Sequence, residues 1–91
     1  MTDKTYLFTT WNNLRADTIQ LYLGIDGKIY GKRYGLPLSE YTEDWAMYLA
    51  WNHINRTTGW PVVWDPKENI NKVTASQEQM DAECKRILML K

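Results

Sequence analysis

The sequence has few of the residues that support disulfide, metal or strongly electrostatic chemistry. Its 91 residues include one cysteine, one histidine and one phenylalanine, and 11 basic side chains balance 11 acidic ones. A lone Cys84 cannot close an internal disulfide, and one histidine gives no two-histidine metal site within the chain. A formal charge of zero provides no overall positive field toward nucleic acid. A disulfide scaffold and a structural zinc domain are therefore excluded.

Long apolar runs are also missing. The amino-terminal residues 1–6 have no apolar stretch typical of a secretory signal peptide. No window approaches the roughly 18 apolar residues of a membrane-spanning helix. A chain this short has room for one domain, residues 1–91. We therefore expect a soluble, cytoplasmic protein with one domain and no membrane partner.

The sequence motifs of common enzyme families are absent as well. There is no P-loop, no glycine-rich dinucleotide turn and no G-x-S-x-G elbow. His53 has no neighbouring nucleophile in the sequence, and Cys84 falls on an apolar stripe, which is typical of a buried structural thiol. Acidic residues at 40, 43 and 44 suit the positive end of a helix dipole. The sequence predicts a protein that is not an enzyme and uses no metal or cofactor.

Tryptophan and tyrosine are abundant, with five and six copies respectively. Both rings keep a polar atom, which a core usually avoids, and both are enriched at the hot spots of protein interfaces. Large rings can also simply fill a small core. The aromatic residues are concentrated between residues 41 and 64, so that segment is the first candidate for an interaction surface.

The first third of the chain has the pattern of β-strands. Residues 5–11 are β-branched and aromatic, residues 18–25 alternate between apolar and polar, and residues 28–34 resume the pattern. Asp26-Gly27 between the last two runs is a strong hairpin signal, because a type I′ turn needs positive φ. The pattern predicts three antiparallel strands with a hairpin at Asp26-Gly27.

A helix is predicted from about residue 40 to residue 56. Ser39 or Thr42 can cap its amino terminus, and Gly59 marks the position before which it ends. Apolar residues occupy two opposite sides of this helix. One side carries Tyr41, Trp45, Tyr48 and Leu49. The other side carries Met47, Trp51 and Ile54.

Apolar residues on two opposite sides imply that other parts of a structure pack against both sides of the helix. The sheet and the terminal helix together would satisfy this pattern within the domain. Alternatively, the side with Met47, Trp51 and Ile54 is exposed and contacts a partner, which is either another protein or a second copy of this chain as a homodimer.

The last third of the chain contains one more strand and one more helix. Residues 60–64 predict a short edge strand, since Pro61 cannot donate to a ladder, and residues 65–73 predict a loop. Residues 75–90 combine a capping box with an apolar stripe at helical spacing. The predicted fold class is α+β: a small antiparallel sheet of three amino-terminal strands plus the edge strand, with two helices on one face.

Basic and aromatic side chains are interleaved along the predicted strand at residues 28–34. Alternation places Tyr30, Tyr34, Lys28 and Lys32 on one side of this strand and Arg33 on the other. Such side chains suit base stacking and phosphate pairing. The charge is unevenly distributed, since residues 1–37 carry five basic and three acidic side chains while residues 38–66 carry one and four.

A Gly-Lys-Arg-Tyr-Gly segment at residues 31–35 ends the three predicted strands, and a helix opening with Tyr-Thr-Glu-Asp at residues 41–44 comes next. This layout resembles the three-strand-plus-helix plan of the AP2-like DNA-binding domains of plants and phages. The resemblance covers residues 5–56, and it implies nucleic-acid binding through the basic and aromatic hairpin.

We interpret the sequence as that of a non-enzymatic protein that binds another macromolecule through an aromatic-rich surface. Small size, tryptophan and tyrosine content and the lack of catalytic motifs resemble the short accessory proteins with which bacteriophages and mobile elements inhibit host enzymes or defence complexes. The implied mechanism is occlusion of a partner's functional surface. The predicted partner-binding residues are Tyr30, Lys32, Arg33, Tyr34, Met47, Trp51 and Ile54.

Two alternatives stay open at this point. The hairpin could bind nucleic acid, and a ring-lined site could take a small ligand or carbohydrate. Trp60 and Trp64 would extend an aromatic surface, or would pack in the core on the same strand face as Val62.

Overall fold

A computed structural model describes residues 3–90, which form six strands and two helices. In chain order these are β1 (Lys4–Asn12), β2 (Asp17–Gly24), β3 (Ile29–Arg33), β4 (Ser39–Tyr41), α1 (Glu43–Thr58), β5 (Val62–Asp65), β6 (Ile70–Val73) and α2 (Gln77–Ile87). The α+β class predicted from the sequence is confirmed.

The main sheet is antiparallel and has the strand order β1-β2-β3-β4. The predicted hairpin connects β2 and β3 through Asp26-Gly27, but its turn is longer than a two-residue type I′ turn. Only Gly27 takes positive φ, and its N–H donates to the Gly24 carbonyl oxygen at 3.0 Å. The Asp26 carboxylate accepts the Lys28 N–H at 3.0 Å, which closes the turn.

A β-bulge in β1 changes which side chains reach the core. Tyr6 pairs with Tyr22 and Phe8 pairs with Leu21, so Leu7 is an extra residue on β1. Residues two apart on a regular strand share a face. Because of the bulge, Tyr6 instead points away from the core and is 53% exposed, whereas Phe8 is buried against the helices.

Local sequence signals fix the ends of both helices. The Thr42 hydroxyl accepts the Trp45 N–H at 3.2 Å, and Gly59 ends α1 by donating its N–H to the Asn55 carbonyl oxygen. Ser76 begins α2 with the predicted capping box. The helix predicted from residue 40 starts three residues later, because residues 39–41 pair with β3 as β4.

The core lies between the main sheet and the helices. Its buried apolar side chains include Phe8, Ile19, Leu21, Ile29, Leu49, Ile54, Cys84 and Leu88. Helix α1 packs against β1 on one side and contacts α2 on the other. Both apolar sides of α1 therefore contact the rest of the domain: Leu49 and Ile54 are buried, whereas Met47, Tyr48 and Trp51 are partly buried against the core.

The predicted edge strand at residues 60–64 does not join the main sheet. Residues 62–65 form β5, which pairs with β6 in a separate two-stranded sheet, and β6 lies in the predicted loop 65–73. Cross-strand pairing of Val62 with Val73 and the ion pair of Lys72 with Asp65 at 2.9 Å hold this hairpin together. The fourth strand of the main sheet is the short β4 instead.

Candidate interaction surface

The outer sheet face is the face of the main sheet opposite the helices, and three tyrosines cross it in register. Tyr6, Tyr22 and Tyr30 are neighbours on β1, β2 and β3, and we call them the tyrosine row. The rings of Tyr6 and Tyr22 meet edge to face with centroids 5.7 Å apart. The Lys4 ammonium lies 4.6 Å from the centroid of the Tyr30 ring, within the range of a cation–π contact. The row thus forms an aromatic platform on the sheet.

The hydroxyl of Tyr30 is fixed by the hairpin turn. It donates to Asp26 Oδ2 at 2.6 Å, and this hydrogen bond raises the pKa of Tyr30 to about 12. The same hydrogen bond, followed by the Lys28 N–H, holds the pKa of the Asp26 carboxyl below its usual value. Tyr30 is therefore a neutral hydrogen-bonded phenol at physiological pH, with its orientation set by Asp26.

Most cationic groups around the outer sheet face have acidic partners. The Lys4 ammonium lies 3.1 Å from Asp3, and the Lys28 ammonium lies 3.7 Å from Glu40. These pairs are exposed, so they contribute little to stability, but they offset the positive charge of the face. The face is consequently aromatic and close to neutral.

The ring of Tyr34 projects from a turn that follows β3. The turn is closed by the Leu36 N–H, which donates to the Arg33 carbonyl oxygen at 3.1 Å. The Lys32 ammonium donates to the carbonyl oxygens of Arg33 and Leu36, which ties both sides of the turn together. Tyr34 is 99% exposed at its tip. A constrained turn thus presents a fully exposed aromatic side chain.

A cleft of about 560 Å³ lies beside this turn. It is lined by Thr18 and Gln20 from β2, and by Lys32, Arg33, Tyr34 and Gly35. The cleft adjoins the outer sheet face, so the tyrosine row and the Tyr34 turn border one continuous region.

The structure brings three of the four predicted hairpin residues to this surface. Tyr30 and Lys32 lie on the outer sheet face, and Tyr34 lies at the tip of the turn. The side chain of Arg33 lies on the opposite side of β3 from Lys32, and its Nε donates to Asp17 Oδ2. Arg33 therefore anchors the edge of the surface and does not lie at its centre.

The three predicted residues of α1 lie elsewhere. Met47 and Trp51 are half-buried and line a groove of about 240 Å³ between α1 and α2. Ile54 is only 6% exposed and belongs to the core, so the prediction that its side chain is exposed is wrong. Helix α2 covers the side of α1 that these residues occupy. The helix residues and the hairpin residues do not form one surface.

Sequence reasoning missed Tyr6, Tyr22 and Lys4 as members of the outer sheet face. Tyr22 is placed there by simple alternation, which is a signal that the sequence contains. Tyr6 carries no such signal, because the bulge at Leu7 reverses the alternation within β1.

The hairpin of β5 and β6 is a second exposed apolar region. Val63, Trp64, Ile70 and Val73 are each exposed on it. Trp64 is therefore a surface residue, whereas Trp60 is partly buried and packs against the core.

The two side chains with titratable chemistry of catalytic interest are both in packed surroundings. Burial lowers the pKa of His53, with a smaller contribution from Arg56. Burial raises the pKa of the Cys84 thiol to about 11, which keeps it protonated at neutral pH.

Within residues 3–90 no three His, Cys, Asp or Glu side chains are grouped as metal ligands would be. In the same part of the chain, the helices are too short or too polar to span a membrane.

Comparison with protein-family models, with curated proteins and with solved structures finds no significant match to this chain.

Proposed function

We propose that this protein is a non-enzymatic binding module whose outer sheet face contacts a protein partner and occludes a functional surface of that partner. The observation that carries the proposal is the tyrosine row, which lies in register on the outer sheet face next to the exposed Tyr34 turn. Inhibition of a host enzyme or defence complex by a phage or mobile-element accessory protein is the biological setting that we propose for it.

Tyrosine suits a protein-binding surface for a physical reason. Each ring offers a large amphipathic contact area while immobilising only two side-chain torsions, so little conformational entropy is lost on binding. Here the rings are already oriented, since Tyr30 is held by Asp26 and Tyr6 packs on Tyr22. A preoriented surface loses less free energy on association than a flexible one.

The charge of the surface supports a protein partner over nucleic acid. Lys4 and Lys28 are paired with acidic side chains, and the whole chain has no net charge. Non-specific nucleic-acid binding depends on unpaired cations that displace counterions from phosphates. A neutral aromatic surface does not meet that requirement.

The test is quantitative capture of proteins from a lysate of the organism that encodes the chain. The variants are Tyr34→Ala and Tyr22→Ala, and the matched control is Leu14→Ala, since Leu14 is an exposed apolar residue in the β1–β2 turn. We expect a partner that binds the wild type and the control equally and is depleted at least about tenfold with both tyrosine variants. If the amount of each captured protein is the same for the wild type and all three variants, the proposal is contradicted.

Single-stranded nucleic acid is the second candidate, because the Lys4 ammonium lies over Tyr30 and Lys32 lines the cleft beside Tyr34. Fluorescence anisotropy of a labelled 12-nucleotide strand at low salt tests it. Binding that weakens steeply with salt and is lost in Tyr34→Ala favours this candidate. No change in anisotropy with single or double strands rejects it.

A cytoplasmic location stays a prediction.

A further inference from the structure

A second cleft lies between the end of the main sheet and the start of α1, apart from the cleft beside Tyr34. Its volume is about 220 Å³. Its lining includes Asn12, Arg15, Arg33, Glu40, Tyr41 and Trp45. These side chains come from the end of β1, the β1–β2 turn, the end of β3, β4 and the first turn of α1, so the cleft is assembled by the fold.

Three side chains in this cleft have donor groups that make no hydrogen bond within residues 3–90. Asn12 is 2% exposed, and its Oδ1 accepts the Leu14 N–H while its Nδ2 makes no hydrogen bond. The Arg33 Nε donates to Asp17, but its terminal amino groups make no hydrogen bond. The Arg15 guanidinium has neither a hydrogen bond nor an ion pair. These donor groups are available to an acceptor that enters the cleft.

The local charges favour an acceptor with a single negative charge. Asp17 neutralises Arg33, and Glu40 is paired with Lys28 at 3.7 Å. Arg15 is then the uncompensated charge of the cleft. One excess positive charge matches a carboxylate, whereas a phosphate group carries more negative charge than the cleft balances at neutral pH.

The walls and the size of the cleft limit what can be attached to that carboxylate. Tyr41 and Trp45 supply aromatic surface. The volume is below the roughly 300–1,000 Å³ of sites that hold drug-sized ligands, so one ring or one apolar side chain fills it. Glu43 and Asp44, in the first turn of α1, are exposed and offset the positive end of the helix dipole. The side-chain donors, not the helix terminus, thus provide the anion site.

We propose that this cleft binds a carboxylate that bears a single ring, with Arg15, Arg33 and Asn12 donating to its oxygens and Trp45 packing against the ring. The chemistry is shared by two sources, a free aromatic acid and the carboxyl terminus of a polypeptide. This site is separate from the outer sheet face and does not depend on the function proposed for that face.

The experiment is a titration of the ¹⁵N-labelled protein with benzoate, followed at the Trp45 indole N–H and the Arg15 Nε–H by NMR. The neutral isostere benzamide is titrated in parallel. We expect saturable shifts at both groups with benzoate, with a dissociation constant on the order of 1–10 mM, and none with benzamide. Arg15→Ala should weaken benzoate binding roughly tenfold. The control Arg56→Ala, which removes the same charge elsewhere on the surface, should leave it unchanged.

Acetylated tripeptides that end in phenylalanine distinguish the two sources. If the free-carboxylate form binds at least about tenfold more tightly than benzoate while the amidated form does not bind, the ligand is a polypeptide terminus. If the tripeptide binds no more tightly than benzoate, the ligand is a free acid. The proposal is overturned if benzoate gives no saturable shift, if benzamide binds equally, or if Arg15→Ala and Arg56→Ala have equal effects.

Discussion

The imidazole ring of His53 lies parallel to the ring of Phe8, with centroids 4.4 Å apart and an interplanar angle of 12°. This stack joins α1 to β1, and it removes the single histidine of the chain partly from water. The partial burial of His53 disfavours its charged form, so its pKa lies below the ordinary value of 6.5.

Stability should therefore fall as the pH decreases through the range in which His53 takes up a proton. The unfolded chain binds a proton near pH 6.5, whereas the folded chain resists protonation until a lower pH, so folding is favoured above 6.5 and loses this contribution below it. Urea denaturation at pH 7.5 and pH 5.5 should show a lower free energy of unfolding at pH 5.5. His53→Phe keeps a stacked ring and should remove most of the difference; an equal difference in this variant would contradict the assignment.

Trp51→Glu should destabilise the fold, because α2 covers the side of α1 on which Trp51 lies. A carboxylate between the two helices would have no partner, and loss of the ring would leave a gap. We expect a loss of about 2–4 kcal/mol in the free energy of unfolding. Thermal denaturation measures it, with Tyr34→Glu as the exposed control, which should change stability by less than about 0.5 kcal/mol. Equal melting temperatures for the two variants would show that α2 does not cover Trp51.

Ser76→Ala should weaken α2 through loss of its capping box. The Ser76 hydroxyl accepts the Gln79 N–H at 3.2 Å, and the Gln79 side chain accepts the Ser76 N–H at 2.8 Å. Removal of a cap of this kind costs about 1 kcal/mol. Hydrogen exchange should show the loss mainly in α2, with Ser39→Ala in β4 as the control. Uniform loss of protection over α1 and α2 would mean that the helices unfold as one unit, not that the end of α2 frays.

Gly31→Ala should destabilise the centre of the main sheet. A Cβ at this position would lie 2.7 Å from a ring carbon of Tyr41 and 2.8 Å from Cδ1 of Ile19, which is itself buried. Overpacking of this kind costs about 1–3 kcal/mol. Denaturant titration measures the loss. The double variant Gly31→Ala with Ile19→Val should be more stable than the sum of the two single effects predicts, because valine lacks Cδ1. If the two losses of stability simply add, the steric conflict does not involve Ile19.

Features set by nearby residues could be predicted from the sequence. The Asp26-Gly27 hairpin and the capping box at Ser76 depend on residues within four positions of one another, and both are present. The sequence predicts that α1 begins near residue 40, whereas it begins at Glu43, because residues 39–41 pair with β3 instead. Local chemistry thus predicts turns and caps better than it predicts which segments pair.

Features set by distant partners could not be predicted. The sequence shows that α1 has two apolar sides, but the packed position of α2 decides that Met47 and Trp51 are half-buried between the two helices. Likewise β6 contains asparagine and lysine, which are disfavoured in strands, and it exists because β5 pairs with it. In the candidate surface, Tyr30, Lys32 and Tyr34 were predicted, whereas Tyr6 was not.

Because Leu7 is an extra residue, the outward-facing positions of β1 change from even-numbered to odd-numbered residues along the strand. Even-numbered residues before it, such as Tyr6, face outward, whereas odd-numbered residues after it, such as Thr9 and Trp11, do so. Any library of outer-face variants on this strand must change its residue spacing at Leu7. Deletion of Leu7 would leave Tyr6 opposite Tyr22 and Phe8 opposite Leu21, so it would remove the bulge while Tyr6 still faces outward and Phe8 still faces the core.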